Sequence, residues 1–496
     1  MCGLVGFFGP DVSSHYDVDQ LLGSMAHRGP DDRGIIMGND WALGHQRLSI
    51  VDVESGHQPM LDPSQTLSSV CNGEIYNYRT LQSRYCTGYP FLSSADSEVL
   101  LPFYQVFGKD TAKYLDGMFC FIMNNGKEWM AVRDRIGIKP LYVGKKRQHV
   151  MFASEMKTLA SCADSIHEFP SGHYYHSEVG LQSYYQLPTQ ARFISDPNEV
   201  LPLIRNSLQK SVQKRMMSDV PVGVFLSGGL DSSLIAALMK QTTSQLHSFS
   251  VGLPHSPDLK AARVVAAHLD TIHHEYIYTE AEMIDLLPEV IYQLESYDPA
   301  LVRSAIPCYI VSRLASKYVK VVLTGEGADE LFAGYSYLAG FQDSHALHEE
   351  TLAILNGLHN LNLQRVDRMT MAHGLEGRVP FLDTEFIELC IAIDPNLKLY
   401  STFGIEKWLL RKAFEDLLPQ QIVWRTKMEF AQGCASSEVL AQRGEQAIPM
   451  QALLEAQAKG LPVSTREELF YFRIFERHSS HPDAAHLIGR WQGTLH

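Results

Sequence analysis

The sequence lacks the features that mark several specialised classes of protein. Its eight cysteines are scattered and form no Cys-x-x-Cys pair, so the spacing argues against a zinc site, an iron–sulfur site or a disulfide framework. No apolar run approaches the roughly 20 residues that span a bilayer. No basic segment precedes an apolar stretch at the start, so we expect no signal peptide. The cytoplasm is therefore the expected location.

The chain also lacks an excess of positive charge. It has 42 basic and 56 acidic side chains, which give a formal net charge of −14. Such a balance repels phosphate backbones and argues against nucleic acid as a main partner. The net charge indicates nothing more about function, because acidic globular enzymes are common.

The length of the chain and a change in its secondary-structure pattern predict two domains. A chain of 496 residues is too long for a single core. Up to about residue 185, short β-rich runs alternate with turns, which predicts antiparallel sheets. The polar segment from Gln186 to Asn198 contains two prolines and is predicted to be a linker. We therefore expect one domain over residues 2–190 and a second over residues 200–496.

Strand and helix patterns alternate in the second half, which predicts a doubly wound parallel sheet. Ligands bind to such sheets at the carboxyl ends of the strands. From about Leu352 onward the pattern is mostly helical. The predicted strands are Pro221 to Leu226, Leu246 to Val251, His274 to Tyr278 and Val319 to Leu323. The predicted helices are Ser232 to Lys240, Leu259 to Leu269, Ala281 to Leu294 and Ile306 to Tyr318, and in the first half Ser97 to Phe107.

Residue 2 is a cysteine, and removal of Met1 would leave it with a free α-amine beside its thiol. The α-amine has an ordinary pKa of about 7.7–8.0, so it can accept a proton near neutral pH. The thiolate is the form of cysteine that attacks a carbonyl carbon. Cys2 is therefore a candidate nucleophile that carries its own base. An ordinary buried cysteine is the alternative.

A glycine-rich loop follows the first predicted strand of the parallel sheet. It reads Ser-Gly-Gly-Leu-Asp-Ser from Ser227 to Ser232. Its backbone N–H groups, its hydroxyls and the next helix N-terminus suit a phosphate, and Asp231 suits Mg²⁺. No lysine follows at the spacing of the usual phosphate loop of kinases and GTPases. The loop resembles that of ATP pyrophosphatases; a glycine-rich turn without a ligand is the alternative.

A second acidic loop, from Thr324 to Glu330, follows a later strand of the same predicted sheet. Parallel topology places it at the same sheet edge as the glycine-rich loop. Asp329 is therefore predicted to complete a metal site with Asp231, and Glu326 to orient a substrate or move a proton. A helix start with acidic residues in its first turn is a compatible reading.

Together, the cysteine at position 2 and the pyrophosphatase-type loop make the chain resemble the glutamine-hydrolysing asparagine synthetases, from Cys2 to about Phe475. The resemblance implies an N-terminal antiparallel αββα sandwich of the N-terminal-nucleophile hydrolase type, followed by the parallel-sheet domain. The N-terminal motifs that carry it are His27 to Asp31, Arg47 to Asp52, Asn72 to Asn77, Asp96 to Glu98 and Arg133 to Tyr142; Gly374 to Asp383 in the second half is predicted to be a structural and interdomain marker.

The resemblance implies a role for each residue of the first site. Cys2 attacks the glutamine amide, and Asn72 with Gly73 forms the oxyanion hole. The glutamine-binding residues are Arg47 for the α-carboxylate and Glu74 and Asp96 for the α-amine. On the residues alone, Arg47 could be a strand-surface charge and Asn72-Gly73 a hairpin turn.

The resemblance also implies roles in the second half. The reaction centre contains Glu326, Asp329 and Lys427, of which Lys427 neutralises charge on the phosphates. A solvated surface lysine is the alternative for Lys427. The implied ATP-binding residues are Leu226, Ser227, Gly228, Gly229, Asp231, Ser232, Val251, Thr324 and Gly325.

One departure concerns the acceptor. The family has two threonines shortly before the arginine that here is Arg303, and this chain has Ala300 and Leu301 instead. Hydroxyl groups that bind a substrate can discriminate strongly. Aspartate held by Arg303 and Glu326 is the preferred acceptor, and another carboxylic acid is the alternative.

The expected activity is that of an ATP-dependent, AMP-forming carbon–nitrogen ligase that uses ATP and Mg²⁺ and makes an acyl-adenylate. Its partners would be glutamine, ATP and the acceptor acid, without nucleic acid or membrane, and a homodimer is compatible with the sequence. A nucleotide-binding scaffold without catalysis is a third hypothesis, which the intact Cys2, Asp231, Asp329 and Lys427 disfavour.

Overall fold

The computed structural model describes residues 2–189, 192–479 and 481–490. The first half forms two antiparallel sheets of six strands each, in the orders β10-β8-β9-β1-β3-β2 and β12-β11-β7-β6-β5-β4. These strands are β1 (Gly3–Phe8), β2 (Asp32–Met37), β3 (Trp41–Arg47), β4 (Met60–Leu61), β5 (Ser68–Ile75), β6 (Gly117–Asn124), β7 (Trp129–Arg133), β8 (Tyr142–Lys146), β9 (His149–Ala153), β10 (Ser165–Glu168), β11 (His173–His176) and β12 (Gly180–Ser183).

The two sheets stack on each other and helices cover their outer faces. Leu4 and Leu43 of the first sheet pack against Val70 and Ile122 of the second. Alternate side chains of each strand point outward, where helices bury them. The helices are α1 (Val12–His15), α2 (Val18–Gly23), α3 (Tyr78–Tyr85), α4 (Leu100–Phe107), α5 (Thr111–Tyr114) and α6 (Met156–Ala160). The expected αββα sandwich is confirmed.

The second half contains a five-stranded sheet in the order β15-β14-β13-β16-β17, and every neighbouring pair is parallel. Helices lie between its strands in sequence, so the predicted doubly wound sheet is confirmed. The strand β17 was not predicted, because its sequence Glu-Gly-Arg has no apolar residue, whereas the equally short β16 is Val-Val-Leu. The strands are β13 (Val222–Phe225), β14 (His247–Gly252), β15 (Ile272–Ile277), β16 (Val321–Leu323) and β17 (Glu376–Arg378).

Beyond the sheet the second half is mostly helical, as the pattern predicts. The helices are α7 (Pro197–Arg215), α8 (Leu230–Lys240), α9 (Pro257–Leu269), α10 (Glu280–Asp285), α11 (Leu287–Leu294), α12 (Pro299–Ala315), α13 (Ala328–Leu331), α14 (Ser344–Gly357), α15 (Asn362–Met371), α16 (Thr384–Ala392), α17 (Tyr400–Phe403), α18 (Trp408–Ala413), α19 (Gln420–Val423), α20 (Phe430–Gly433), α21 (Ser437–Ala447), α22 (Met450–Ala458) and α23 (Arg466–Phe475). None of the helices in the described ranges is long and apolar enough to span a membrane.

Three predicted helix boundaries are corrected. The helix expected from Ala281 to Leu294 is divided into α10 and α11, because Pro288 lacks the N–H that would continue α10. The helix expected at Ile306 begins at Pro299, since the Asp298 side chain accepts the N–H of Leu301 and caps it. The helix expected at Ser97 begins as a 3₁₀ turn before α4.

The predicted linker is also shorter than expected. Its residues 190 and 191 lie outside the described residues. At its other end α7 already begins at Pro197, where the Asp196 side chain accepts the N–H of Asn198. A capped proline start is a typical helix beginning, so the last two residues of the segment belong to the helix.

Buried ion pairs join the two halves. The Arg28 guanidinium donates to Asp367 on α15 at 2.8 Å, and Arg368 on the same helix lies 3.0 Å from Glu155. The two arginines and Glu155 are almost fully buried. Buried charges need such partners, so these pairs hold α15 against the sandwich at a defined position.

Candidate active sites

Cys2 lies at the start of β1, buried beside Asn72 of β5. The backbone N–H of Cys2 donates to Asn72 Oδ1 at 2.9 Å. Its carbonyl accepts from Arg28 Nε at 3.0 Å. Burial raises the pKa of the Cys2 thiol, whereas the Leu48 N–H and Arg47 lower it. Cys2 is therefore held by two backbone hydrogen bonds at a buried position beside the Asn72 side chain.

Asn72 and Gly73 are not a hairpin turn, because both lie inside β5. Since Asn72 Oδ1 is occupied by Cys2, its Nδ2 is the free end of the amide, and it is buried without a hydrogen-bond partner among the described residues. Gly73 has a φ of +133°, and a Cβ there would lie 1.9 Å from the Met118 carbonyl oxygen. The strand therefore requires glycine and presents an amide donor beside the thiol.

Arg47 ends β3 and is buried, not a surface charge. Its guanidinium donates to the carbonyl oxygens of Val51, Asp52 and Val53 at 2.5–3.3 Å. These bonds hold the loop after β3 around the guanidinium. The site therefore has a fixed cation close to Cys2.

Two buried carboxylates lie on the other side of this site. Burial, with Glu376 and Asp96 close by, raises the pKa of Glu74 well above its usual range. Burial also raises the pKa of Asp96 to about 6, although the N–H of Ile75, which donates to its carboxylate at 2.6 Å, lowers this pKa. Glu74 Oε2 has no hydrogen-bond partner among the described residues. An incoming ammonium group would stabilise both carboxylates in their charged form.

The second half contributes two residues here that the sequence reasoning missed. Arg378, on β17, lies 3.4 Å from Glu74 and forms an ion pair with Glu376. Both side chains are fully buried. The motif from Gly374 to Asp383 is predicted only as a structural and interdomain marker. Its contact with Glu74 could not be predicted, because no local pattern indicates which side chains of the first half it meets.

The second site is a cavity of about 230 Å³ at the carboxyl ends of the parallel strands. It brings together nearly all the residues that were predicted for the second half. These are Leu226, Ser227, Gly229, Asp231, Ser232, Val251, Arg303, Thr324, Gly325, Glu326, Asp329 and Lys427. Gly228 does not line the cavity.

The loop from Ser227 to Ser232 is held by its own hydroxyls. Ser232 Oγ accepts the N–H of Ser227, and Ser227 Oγ accepts the N–H of Gly229, each at 3.2 Å. The loop leads into α8, whose N-terminus faces the cavity with its unpaired N–H groups. The arrangement suits an anion such as a phosphate.

Two carboxylates and two lysines meet beside this loop. Lys407 Nζ lies 2.5 Å from both Asp231 and Asp329, and Lys427 Nζ lies 2.6 Å from Asp329. Burial alone would lower the pKa of Lys427, but the two aspartates raise it above its usual value. Lys427 is therefore not a solvated surface lysine. Lys407 was not predicted, because nothing in the sequence around it indicates that the fold buries this lysine at the start of α18.

Two arginines lie at the other end of the cavity. Glu326 forms an ion pair with Arg365 of α15, which the sequence reasoning also missed. Arg303 of α12 forms a two-point ion pair with Glu467 of α23, with Nε 2.8 Å from Oε1. Ala300 and Leu301 line the cavity beside Arg303, so the expected hydroxyls are absent from this flank.

Two family models cover most of the chain. The model described as "Glutamine amidotransferase domain" matches residues 1–191, and the one described as "Asparagine synthase" matches residues 203–342 and 338–492. The fold and the two sites therefore define a class of enzyme: an ATP-dependent ligase that joins a glutamine amidotransferase to a synthetase in one chain.

Curated relatives give the family. The chain is 38% identical to "Asparagine synthetase B [glutamine-hydrolyzing]" of Escherichia coli (strain K12), over 98% of this chain and 93% of that one. It is 38% identical to "Asparagine synthetase [glutamine-hydrolyzing] 1" of Saccharomyces cerevisiae, over 99% and 96%, and 39% identical to "Asparagine synthetase [glutamine-hydrolyzing] 2" of Arabidopsis thaliana, over 96% and 87%. The chain belongs to the family of glutamine-hydrolysing asparagine synthetases.

Proposed function

We propose that this protein makes asparagine from aspartate, with ATP as the activating substrate and glutamine as the nitrogen donor. The observation that carries the proposal is that one chain contains two candidate sites. In the first, Cys2 lies beside the Asn72 amide. In the second, the loop that contains Asp231 lies beside Asp329 and two lysines. The other-acceptor hypothesis, based on Ala300 and Leu301, is not favoured, since the curated relatives carry the asparagine synthetase name.

In the first reaction Cys2 attacks the side-chain amide of glutamine. Arg47 would bind the α-carboxylate, because a guanidinium pairs with a carboxylate through two hydrogen bonds. Glu74 and Asp96 would bind the α-ammonium group, which favours their charged forms. The pKa of each is raised in the structure without this ligand, so bound glutamine would lower both values.

The α-amine of Cys2, once Met1 is removed, would take the thiol proton and pass it to the leaving ammonia. The Asn72 Nδ2 group would stabilise the oxyanion together with the Gly73 N–H. One such donor contributes about 3–4 kcal/mol to the transition state. The orientation of the Asn72 amide supports this role, because its oxygen is already held by Cys2. Water then releases glutamate from the thioester.

In the second reaction an oxygen of the acceptor carboxylate attacks the α-phosphorus of ATP, and pyrophosphate leaves. The bond made is carboxyl oxygen to phosphorus, and the product is an acyl-adenylate. We assign the adenosine end to Leu226, Val251, Thr324 and Gly325, and the phosphates to the loop from Ser227 to Ser232. Gly228 would act through the shape of the loop, since it does not line the cavity.

Asp231 and Asp329 fit Mg²⁺, which would neutralise phosphate charge when bound. The two carboxylates are oxygen ligands of the kind that Mg²⁺ prefers. Asp231 Oδ1 is buried and has no hydrogen-bond partner among the described residues, so it can take a ligand. The ammonium groups of Lys407 and Lys427, which now pair with these carboxylates, would turn to the phosphates of ATP.

Ammonia from the first site would then attack the acyl carbon, and AMP would leave with the bonding electrons of the acyl–oxygen bond. We assign Arg303 to a carboxylate of the acceptor. Glu326 would orient the acceptor or accept a proton from the attacking ammonia. Lys427 would stabilise the charge on the departing phosphate.

The first experiment supplies the purified protein with ATP, Mg²⁺, ammonium and aspartate. We expect asparagine, AMP and pyrophosphate in equal amounts, and glutamine should replace ammonium as the nitrogen source. Glutamine hydrolysis without any asparagine would contradict the proposed acceptor. The domain limits at 190 and 200, a homodimer and a cytoplasmic location stay predictions.

A further inference from the structure

The C-terminal helix α23 reaches the acceptor end of the second cavity. It packs beside α12, and just before that helix the ring of Tyr297 lies 5.1 Å from the ring of Phe472, edge to face. From this helix Glu467 extends to Arg303, 164 residues earlier in the chain. The contact is therefore a tertiary contact between the end of the chain and the cavity wall.

The pair between these residues uses only one edge of the guanidinium. Arg303 donates from Nε and Nη2 to the two oxygens of Glu467. No hydrogen bond joins its Nη1 to any residue in the described ranges, and its side chain is 24% exposed at the cavity. A guanidinium has five N–H donors, so three remain for a second carboxylate. The Nη1–Nη2 edge is thus available to an acceptor.

Glu467 is itself held in place. It is buried, and the hydroxyl of the fully buried Tyr471, one helical turn later, donates to its Oε1 at 2.8 Å. The neighbouring side chains offer few other hydrogen-bonding groups that could orient the Arg303 guanidinium. Ala300, Leu301 and Ala431 line the same flank without side-chain donors, and the Ser304 hydroxyl donates to backbone carbonyls of its own helix. Asp298, which caps α12, also lines the cavity and attracts the guanidinium, but the two-point contact that fixes its direction is the one with Glu467.

We infer that Glu467 is a positioning residue for the acceptor: it fixes the guanidinium of Arg303 so that the free edge meets a carboxylate of the acceptor. The inference rests on the proposed function, which makes Arg303 an acceptor ligand. It gives the C-terminal helix a part in acceptor binding. Hydrogen bonds between charged groups are strong and directional, so a misdirected Arg303 binds the acceptor weakly.

The test measures the KM for aspartate, with ammonium as the nitrogen source, in the wild type and in Glu467→Gln. The amide keeps the size of the side chain but cannot accept from both guanidinium nitrogens. We expect the KM for aspartate to rise about tenfold or more, while the KM for ATP and the rate of glutamine hydrolysis stay within about twofold. Tyr471→Phe, which removes only the support of Glu467, should give a smaller rise in the same constant.

The matched control is Glu445→Gln. Glu445 pairs with Arg466 of α23 at 2.9 Å, is exposed, and has no hydrogen bond or ion pair with Arg303 in the described part of the chain. The KM for aspartate of this variant should therefore equal the wild-type value. An unchanged or lower KM for aspartate in Glu467→Gln would overturn the inference. An equal rise in the KM for ATP would also overturn it, because the defect would then be general. Absence of asparagine from the wild-type reaction would instead overturn the proposed function, and the inference with it.

Discussion

Cys2 places its thiol at a buried position beside the Asn72 amide. In the proposed reaction the nucleophile, its base and one oxyanion donor therefore come from only two positions of the chain: Cys2, directly before β1, and Asn72 in β5. In the second site the charges balance: two aspartates and two lysines form ion pairs with each other in the absence of a ligand.

Replacement of the nucleophile should separate the two reactions. We expect Cys2→Ala to lower glutamine-dependent synthesis by at least about a thousandfold, because no other thiol replaces it. Synthesis from ammonium should stay near the wild-type rate, since the second site is untouched. Product assays with each nitrogen source measure both. An equal loss of both activities would make Cys2 structural.

Removal of either lysine of the second site should have the opposite pattern. We expect Lys427→Ala and Lys407→Ala each to lower synthesis from glutamine and from ammonium by about a hundredfold or more, since each removes a cation from the phosphates. Glutamine hydrolysis should be retained. The exposed Lys459→Ala serves as the control. Loss of glutamine hydrolysis in the Lys427 variant would contradict the assignment of two separate sites.

At the scale of elements, the glycine-rich loop depends on how closely it approaches α9. Gly228 has a φ of +71°, and a Cβ there would lie 2.4 Å from the backbone of Ala261 and Ala262. Such a contact is far inside van der Waals distance, so any side chain displaces the loop from the helix. The glycine therefore sets where the neighbouring Ser227 and Gly229 meet the cavity.

Gly228→Ala should weaken ATP binding by displacing this loop. We expect the KM for ATP to rise about tenfold or more, since the left-handed backbone alone costs about 1 kcal/mol and the clash adds to it. Gly404→Ala is a matched control, because Gly404 has a φ of +72° with no atom within 4 Å of its Cβ position. Steady-state kinetics with varied ATP measure the difference. A KM for ATP in Gly228→Ala as low as that in Gly404→Ala would contradict the role of this loop in ATP binding.

At the scale of the whole molecule, β17 connects the two sites. The side chain of Arg378 reaches Glu74 at the first site, while its carbonyl accepts the N–H of Thr324 at the second at 2.9 Å. One residue of the second half thus contacts groups of both sites. We therefore predict that ammonia passes between the two sites inside the protein, since ammonia that escaped would be protonated and no longer nucleophilic.

An added enzyme that consumes free ammonium tests this transfer. We expect such a trap to leave glutamine-dependent asparagine formation within about twofold, because ammonia that stays inside the protein avoids protonation in water. Synthesis from added ammonium in the same assay is the control and should stop. If the trap also abolished the glutamine-dependent reaction, ammonia would have to pass through bulk water.

Acid should weaken the contact between the two halves at Glu168. Burial would raise the pKa of Glu168, but Arg133 and His359 lower it from 4.5 to about 2. A carboxyl with a depressed pKa stabilises the folded state above its ordinary pKa and loses this effect as the pH falls toward the folded value. The shift corresponds to about 3 kcal/mol.

We therefore expect Glu168→Gln to lower the free energy of unfolding by about 3 kcal/mol at pH 7. The difference from the wild type should shrink as the pH falls from about 5 toward 2. Urea unfolding at several pH values measures it. The control Glu178→Gln, whose ion pair is exposed, should have little effect. A difference that is constant with pH would mean that the charge of Glu168 is not responsible.

The sequence alone predicted the fold class and the residues beside Cys2 in the first half, and nearly all the residues predicted for the second site line its cavity. The loop from Ser227 to Ser232 could be found because its six residues are contiguous, and the alternation of strands and helices placed it at a sheet edge. Helix boundaries were less certain where a cap such as Asp298 or a proline such as Pro288 decided them.

Only the tertiary structure decided the partners of these residues. Lys407 lies 176 positions from Asp231, Glu467 lies 164 from Arg303, and Arg378 comes from the opposite half to Glu74. No local pattern marks such residues, because a buried charged side chain needs an oppositely charged partner, and only the folding of the chain determines which residue that partner is. The residues that would carry the chemistry of each site can therefore be predicted from the sequence. The charged partners that balance them can be identified only from the packing of the folded chain.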